Sequence, residues 1–312
     1  MPFEETLDKA LDLRDQRGKL QEAGIVLRLL VRQWSKLTDP ERTRLCGEYG
    51  TQLRYQGKMA EALAWYKRGV VLARKTSNTA ALVDFLRLIS FTSLKLHPRT
   101  TTARRWAEKS LSFLPALQGR NHDLASANVW ALIGNIESGD KNIAEAIAAY
   151  KKALRYARRA KYWARVATLL GDLANKYIDT GRFREAERAL KEDLRLSKKY
   201  HRHSYPNALV RLSYLYYLKT NSRRDLQKAL EYAQEALRIS KKEGWGREIA
   251  DAYQRLGKIA WYRGKKAESR RYLLLAMEQY KNVKHPSYAK WVKKVMKDLK
   301  KGINSHHDHP QE

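Results

Sequence analysis

Two asparagines near the middle of the chain have a spacing that places their side chains on one helix face. Asn128 and Asn135 are seven residues apart, which corresponds to about two helical turns. An asparagine amide donates and accepts hydrogen bonds, so such a pair can bridge the backbone groups of an extended peptide. Polar residues on a wet helix face give the same pattern without any ligand.

Cations and aromatic rings alternate at helical spacing in two later stretches. The first contains Arg211, Tyr214 and Tyr217, and the second contains Arg255, Lys258 and Trp261. Such side chains can hold an acidic or aromatic peptide, or stack on unpaired bases while pairing with phosphates. Rings at Tyr217 and Trp261 have an alternative role in filling gaps between helices. The binding candidates are therefore Arg211, Tyr214, Arg255 and Lys258.

The chain is strongly basic, with 63 lysines and arginines against 33 acids and a formal net charge of +30. Cations near helix C-termini are stabilising, which explains part of this excess. General solubility is another explanation. A basic stripe also suits a phosphate backbone. The candidates for anion or nucleic-acid binding are Arg155, Arg158, Arg159, Arg195, Lys198, Lys199, Lys241 and Lys242.

The sequence contains little that indicates a catalytic or metal-binding site. The sequence contains no phosphate-binding glycine loop, nucleophile elbow or His-Glu-x-x-His motif. We expect no enzyme activity, no cofactor and no metal site. His306, His307 and His309 lie in a polar tail without other ligands, and Cys46 is expected to be a buried structural thiol.

The elements that position these residues recur about every forty residues. Residues 129–153 and 253–276 share an apolar residue, a branched apolar residue followed by glycine, a turn, and a second helix. Residues 170–190, 49–69 and 10–30 follow the same order. Small residues such as Gly134 are expected to let neighbouring helices pack closely, and the Ser138-Gly139 pair interrupts the helical pattern.

These residues resemble the tetratricopeptide repeat, whose pattern joins Trp, Leu-Gly and Tyr to a later Ala and Phe. The residues that match best are Trp130, Ile133, Gly134, Ala146, Tyr150 and Ala153. The long period is similar to that of the kinesin-light-chain-like subgroup. The resemblance implies an all-α, right-handed superhelical solenoid of about seven antiparallel helix pairs plus a C-terminal capping helix.

We expect a single solenoid over residues 1–301. Its units are predicted at about 3–38, 40–76, 79–118, 122–161, 162–202, 204–243 and 246–283, with a cap helix at 286–301 and a disordered polar tail at 302–312. The apolar face of the cap is expected to cover Leu273, Leu274 and Met277. That leaves no apolar face for membrane insertion.

In this family the first helices of the pairs line a concave surface that usually binds an extended peptide. By position in the repeat, Asn175 is equivalent to Asn135, and Asn207 to Asn128. The resemblance thus implies an asparagine ladder on that surface. We interpret the chain as a non-catalytic interaction scaffold for an extended, acidic peptide or protein segment. The alternatives are an RNA-binding module that uses the basic edge and the groove aromatics, and a peptide-responsive regulator.

The apolar stretches of the sequence are too short to cross a membrane, and the charged N-terminal segment lacks the apolar core of a secretory signal. We expect a soluble cytoplasmic protein.

Overall fold

The computed structural model describes residues 2–16, 19–96, 100–219, 223–283 and 286–300. Within these ranges the regular structure is helical and contains no strand. Two compact units are present, Met1–Tyr162 and Trp163–Glu312, which we call the N-terminal unit and the C-terminal unit. The predictions for the 302–312 tail and its histidines lie outside the described residues.

Successive helices of the N-terminal unit form pairs joined by short turns. The helices are α1 (Phe3–Leu11), α2 (Leu20–Arg32), α3 (Asp39–Tyr55), α4 (Met59–Lys75), α5 (Thr79–Leu96), α6 (Thr101–Ser112), α7 (Gly119–Gly139) and α8 (Ile143–Arg159). Each odd-numbered helix packs on the even-numbered helix that follows it.

The C-terminal unit continues the same arrangement and ends with an additional helix. Its helices are α9 (Trp163–Asp179), α10 (Phe183–Tyr200), α11 (Tyr205–Leu218), α12 (Arg223–Glu243), α13 (Gly246–Tyr262), α14 (Lys266–Asn282) and α15 (Pro286–Lys300). The predicted all-α fold of about seven helix pairs followed by one more helix is therefore confirmed for the part of the chain described. Their continuity as a single array over 1–301 stays a prediction.

Helix α8 shows why these segments form amphipathic helices. Its buried positions include Ala146, Tyr150, Ala153 and Ala157, which are separated by three or four residues and so lie on one face. Lysines and arginines occupy much of the opposite face. Burial of the apolar face against α7 stabilises the pair more than helix propensity alone does.

Small residues mark the point where the two helices of a pair cross. A Cβ atom added at Gly134 would lie 2.6 Å from Tyr150 Cε1, and one added at Gly50 would lie 2.5 Å from the same atom of Tyr66. At Gly257 the nearest atom is Leu273 Cγ, at 2.7 Å. The expectation that small residues make room for the neighbouring helix is thus confirmed at these crossings.

Serine replaces glycine at two equivalent crossings and adds a hydrogen bond. The Ser90 hydroxyl donates to the carbonyl oxygen of Ala103 at 2.5 Å, and the Ser213 hydroxyl donates to that of Ala229 at 2.6 Å. All four residues are buried. Each serine therefore satisfies its own buried hydroxyl while tying the first helix to the second.

The turn between α7 and α8 differs from the sequence expectation. The helix continues through Ser138 and Gly139, and the left-handed backbone conformation occurs at Lys141, with φ of 64°. Glycine occupies the same place in other pairs, at Gly57 and Gly181, with φ of 79° and 71°. Gly139 is therefore not the turn residue, because the connection needs its positive φ two residues later.

Helix α15 packs on α14 and buries Val292 and Val295. Leu273 is also buried, but Leu274 is 41% exposed. The expected cover over Leu274 is therefore wrong. Leu273 and Leu274 are adjacent on α14, and successive positions on a helix point about 100° apart, so they cannot both face the same neighbouring helix.

Cys46 is fully buried in α3, as expected for a structural thiol. Burial raises the pKa of this thiol to about 12, so it remains protonated at neutral pH. Of the helices described, none combines the length and the apolar character needed to cross a bilayer.

Candidate binding site

Asn135 lies on α7 with one side of its amide already engaged. The Tyr150 hydroxyl on α8 donates to Asn135 Oδ1 at 2.7 Å. Tyr150 is buried, whereas Asn135 is partly exposed. The bond fixes the orientation of the amide and leaves its N–H groups to donate to a ligand. A residue of the crossing between α7 and α8 therefore orients the predicted binding residue.

Asn128 lies two turns earlier on α7 and lines a cleft between α5 and α7. The cleft has a volume of about 170 Å³. Its lining residues are Ala80, Val83, Asp84, Arg87, Asn121, Leu124, Ala125 and Asn128. Arg87 pairs with Asp84 in this lining, with Nη2 to Oδ1 at 2.6 Å. The cleft thus combines an apolar wall with amide and charged groups.

The sequence interpretation missed Asn121 in this cleft. Asn121 precedes Asn128 by seven residues, as Asn128 precedes Asn135, so the same spacing would have revealed it. Arg87 and Asp84 were also missed, and nothing in their local sequence distinguishes them from an ordinary exposed pair three residues apart. Only the approach of α5 to α7 brings them to the asparagines.

Asn175 and Arg211 belong to the C-terminal unit and are partly exposed. Arg211 lies between two carboxylates, 3.7 Å from Asp172 and 3.6 Å from Asp193. A Cβ atom at Gly171 would lie only 2.2 Å from Arg211 Nη1. The absence of a side chain at position 171 therefore provides the space in which the guanidinium lies.

Asp193 is buried, with 2% of its surface exposed. Burial raises the pKa of its carboxyl group to about 6, although Arg211 and the hydroxyl of Ser197 act in the opposite direction. Ser197 donates to Asp193 Oδ1 at 2.7 Å. Arg211 is therefore partly committed to a buried acid, which reduces what it can offer to a ligand.

Asn207 is also engaged within the C-terminal unit. Its side chain donates a hydrogen bond to Glu248, which is 5% exposed. Burial raises the pKa of Glu248 to about 7, and the neighbouring charge of Asp251 acts in the same direction. Asn207 differs in this respect from Asn135, since its donor group serves a buried carboxyl group.

Arg255 and Lys258 were expected to lie in an open groove, but the structure buries both side chains. Arg255 is 3% exposed and Lys258 is 1% exposed. The Arg255 guanidinium lies over the ring of Tyr214 at 4.4 Å, and Lys258 Nζ lies over that of Trp291 at 5.2 Å. Tyr214 remains partly exposed. Helical spacing identified the face of α13 but did not reveal that residues of α11 and α15 cover it.

The two further aromatic residues of these helices differ in burial. Tyr217 is buried and makes an edge contact with the ring of Tyr262, with centroids 6.0 Å apart. Trp261 is partly exposed, and Lys266 lies over its ring at 5.8 Å. Tyr217 thus has the gap-filling role given as its alternative.

The basic candidates lie on the second helices of the pairs and are exposed. In the N-terminal unit they are Arg155, Arg158 and Arg159; in the C-terminal unit they are Arg195, Lys198, Lys199, Lys241 and Lys242. Arg159 is 3.3 Å from Asp123, and Lys199 and Lys241 lie over tyrosine rings. Arg159 is therefore partly neutralised, and Lys199 and Lys241 have packing contacts.

Comparisons with known proteins identify the repeat and the fold. Residues 123–199 match a family model described as tetratricopeptide repeat. A solved structure of a Rap protein complexed with competence and sporulation factor is 14% identical, with 97% of this chain and 87% of that chain covered and a TM-score of 0.65. BtubC (BKLC) from P. vanneervenii is 17% identical, with 81% and 94% covered and a TM-score of 0.58.

The Cut9–Hcn1 hetero-tetramer of the APC/C is also similar, at 17% identity and a TM-score of 0.59, with 94% of this chain and 50% of that chain covered. No curated protein sequence matches the chain. At these identities the structural likeness shows the fold, a solenoid of helical repeats.

Proposed function

We propose that this chain, in which residues 123–199 match the tetratricopeptide repeat model, is a scaffold that binds an extended segment of another protein and catalyses no reaction. The similar Rap and Cut9–Hcn1 structures are both complexes with a partner, which supports a binding role. The kinesin-light-chain-like subgroup stays a prediction.

The single observation that carries the proposal is the oriented amide of Asn135. Its oxygen accepts a hydrogen bond from the Tyr150 hydroxyl at 2.7 Å. The amide is therefore already ordered before a ligand binds, and its N–H groups can donate without further loss of side-chain freedom. Fixing a polar group in advance lowers the entropic cost of association. Asn128 and Asn121 repeat the amide at two-turn spacing along the same helix, which suits main-chain groups of an extended ligand.

In the C-terminal unit we assign ligand contact to the partly exposed residues Asn175, Arg211 and Tyr214. Arg255 and Lys258 pack against the rings of Tyr214 and Trp291. The formal charge of +30 favours an acidic segment, because opposite charge accelerates encounter and stabilises the complex.

A second candidate function is binding of RNA to the basic second helices. Arg155, Arg195 and Lys242 are exposed and make no ion pair with the residues described. Cations without acidic partners are available to phosphate groups. This mode of binding would use the second helices of the pairs and not the asparagines.

One titration series separates the two functions. The purified protein is freed of nucleic acid with nuclease and high salt, then titrated with a fluorescent pool of random acidic peptides and with single-stranded RNA across a salt series. Peptide binding that falls at least tenfold in the Asn135→Ala, Asn175→Ala double variant supports the scaffold. RNA binding with a steep salt slope, lost when Arg195 and Lys198 are changed to glutamate, supports the second function.

The matched control for charge is Lys36→Glu with Arg32→Glu, at exposed positions near the end of α2. It makes the same change in net charge away from the candidate residues. Equal effects of the two charge reversals would show that only net charge matters and would refute a localised RNA surface. Unchanged peptide affinity in the asparagine variant would refute the proposed scaffold site.

A further inference from the structure

The cleft between α5 and α7 has the size of one amino-acid side chain. Its volume of about 170 Å³ is smaller than the roughly 300–1,000 Å³ of sites that take drug-sized molecules. It is close to the ~150 Å³ that accommodates a benzene ring. Ala80, Val83, Leu124 and Ala125 form its apolar part. The occupant that fits is a single aliphatic or aromatic side chain.

Two amides stand beside this apolar surface. Asn121 is exposed, Asn128 is partly exposed, and neither makes a side-chain hydrogen bond with the residues described. Their seven-residue spacing corresponds to about 10.5 Å along α7. Amides can pair with both the N–H and the C=O groups of a main chain. An apolar side chain in the cleft therefore brings its own peptide backbone within reach of suitable partners.

Positive charge adjoins the same cleft. Arg87 lines it and pairs with Asp84, while Arg54 lies between the rings of Tyr55 and Phe91, 4.7 and 5.2 Å from their centroids. The Nε atom of Arg54 is buried and makes no hydrogen bond with the residues described. Held between two rings, this guanidinium keeps its charge in a fixed place.

Arg54 is not among the residues that line the cleft, but Arg54 and Arg87 both act on one phenol, that of Tyr66. Burial raises the pKa of the Tyr66 phenol, and the charges of Arg54 and Arg87 both act against that rise. The Arg54 side chain also makes a hydrogen bond with this phenol. Asp84 neutralises one of the two positive charges, which leaves the group of three with a net positive charge that favours an anion.

We infer that this cleft is a specificity pocket for a peptide in which an apolar residue is adjacent to an aspartate or glutamate. The apolar side chain fills the cleft, Asn121 and Asn128 pair with the main chain, and the carboxylate lies against Arg87, which lines the cleft. The inference rests on the proposed function and adds the ligand's sequence character to it.

The test is selection from a phage-displayed library of random nonapeptides, followed by fluorescence anisotropy with one synthesised peptide from the enriched set. The expected enrichment is an apolar residue next to an acid. Ala125→Phe fills the cleft and should weaken binding of that peptide at least tenfold. Ala148→Phe, at an exposed position of α8, is the matched control and should bind normally.

Two further measurements keep the test decisive if Ala125→Phe perturbs folding, which circular dichroism would reveal. Asn128→Asp preserves size but replaces a donor with a negative charge, and should weaken binding at least fivefold. Changing the peptide's acid to its amide should weaken binding to the native protein severalfold, and this difference should shrink in Arg87→Gln.

The outcomes distinguish this inference from the function on which it rests. If no peptide is enriched, the proposed function fails and the pocket with it. If peptides are enriched and lose binding in Asn175→Ala, but bind Ala125→Phe and Asn128→Asp as tightly as the native protein, the proposed function stands and the pocket is refuted. Enrichment without an apolar residue next to an acid also refutes it.

Discussion

Gly134→Ala should destabilise the protein, although alanine is the better helix former. Replacement of an interior helical glycine by alanine normally gains about 1 kcal/mol. Here the new Cβ would lie 2.6, 2.7 and 2.9 Å from three atoms of the Tyr150 ring. Tyr150 is 3% exposed and its hydroxyl is bonded to Asn135, so the ring cannot move without losing packing and a hydrogen bond.

The magnitude follows from these opposing effects. Forcing an extra carbon into a well-packed contact costs about 1–3 kcal/mol, and loss of the Tyr150 to Asn135 hydrogen bond costs a further ~1 kcal/mol. After subtracting the gain in helix propensity of about 1 kcal/mol, we expect the free energy of unfolding to fall by about 1–3 kcal/mol. Urea denaturation followed by circular dichroism measures this change.

Gly47→Ala is the matched control, because Gly47 is also inside a helix but its added Cβ would lie 3.7 Å from Phe85, an ordinary contact. It should be neutral or stabilising by up to about 1 kcal/mol. Combining Gly134→Ala with Tyr150→Leu reproduces the Ala174 and Leu190 pair of the next repeat and should recover part of the loss. If Gly134→Ala stabilises the protein as Gly47→Ala does, the close-packing argument is wrong.

Three other measurements probe separate features. Lys141→Gly relieves a positive φ of 64° and should raise the free energy of unfolding by about 0.5–1 kcal/mol in urea, after allowance for glycine's entropy; a decrease would contradict the turn assignment. The carboxyl group of Glu248 has its pKa raised from 4.5 to about 7, so the folded state retains a proton that the unfolded state loses. Stability should fall by up to about 3 kcal/mol as pH rises from 4.5 to above 7, and Glu248→Gln should flatten that fall in urea melts at several pH values; an unchanged slope would exclude Glu248 as its source. The fully buried Cys46, with its pKa raised to about 12, should react with a thiol reagent at pH 8 only after denaturation, and rapid labelling of the native protein would contradict its burial.

The helices could be predicted from sequence because each carries a periodic apolar face and a small residue at its crossing. Gly134 and Gly257 identified two crossings correctly, since the residue type reports directly on the space available. The turn at Lys141 could not be located in the same way. A non-glycine residue occupies the left-handed position there, and nothing in its type signals that conformation.

The site was less predictable because its properties depend on contacts between helices. Spacing placed Asn128 and Asn135 on one face of α7, but the hydroxyl that orients Asn135 comes from α8. Arg255 and Lys258 were expected to be open to ligand and are buried. Their burial depends on rings from α11 and α15, and a helical projection of α13 contains no information about either.

Two parts of the Tyr150 side chain have separate roles: the ring packs against Gly134, and the hydroxyl bonds to Asn135. Phenylalanine at position 150 would preserve the aromatic surface against Gly134 but would remove the hydroxyl that directs the amide. Under the proposed function, loss of this one oxygen atom would relax the ligand preference while the fold persists. Selection for recognition and selection for folding would then act on different atoms of the same side chain.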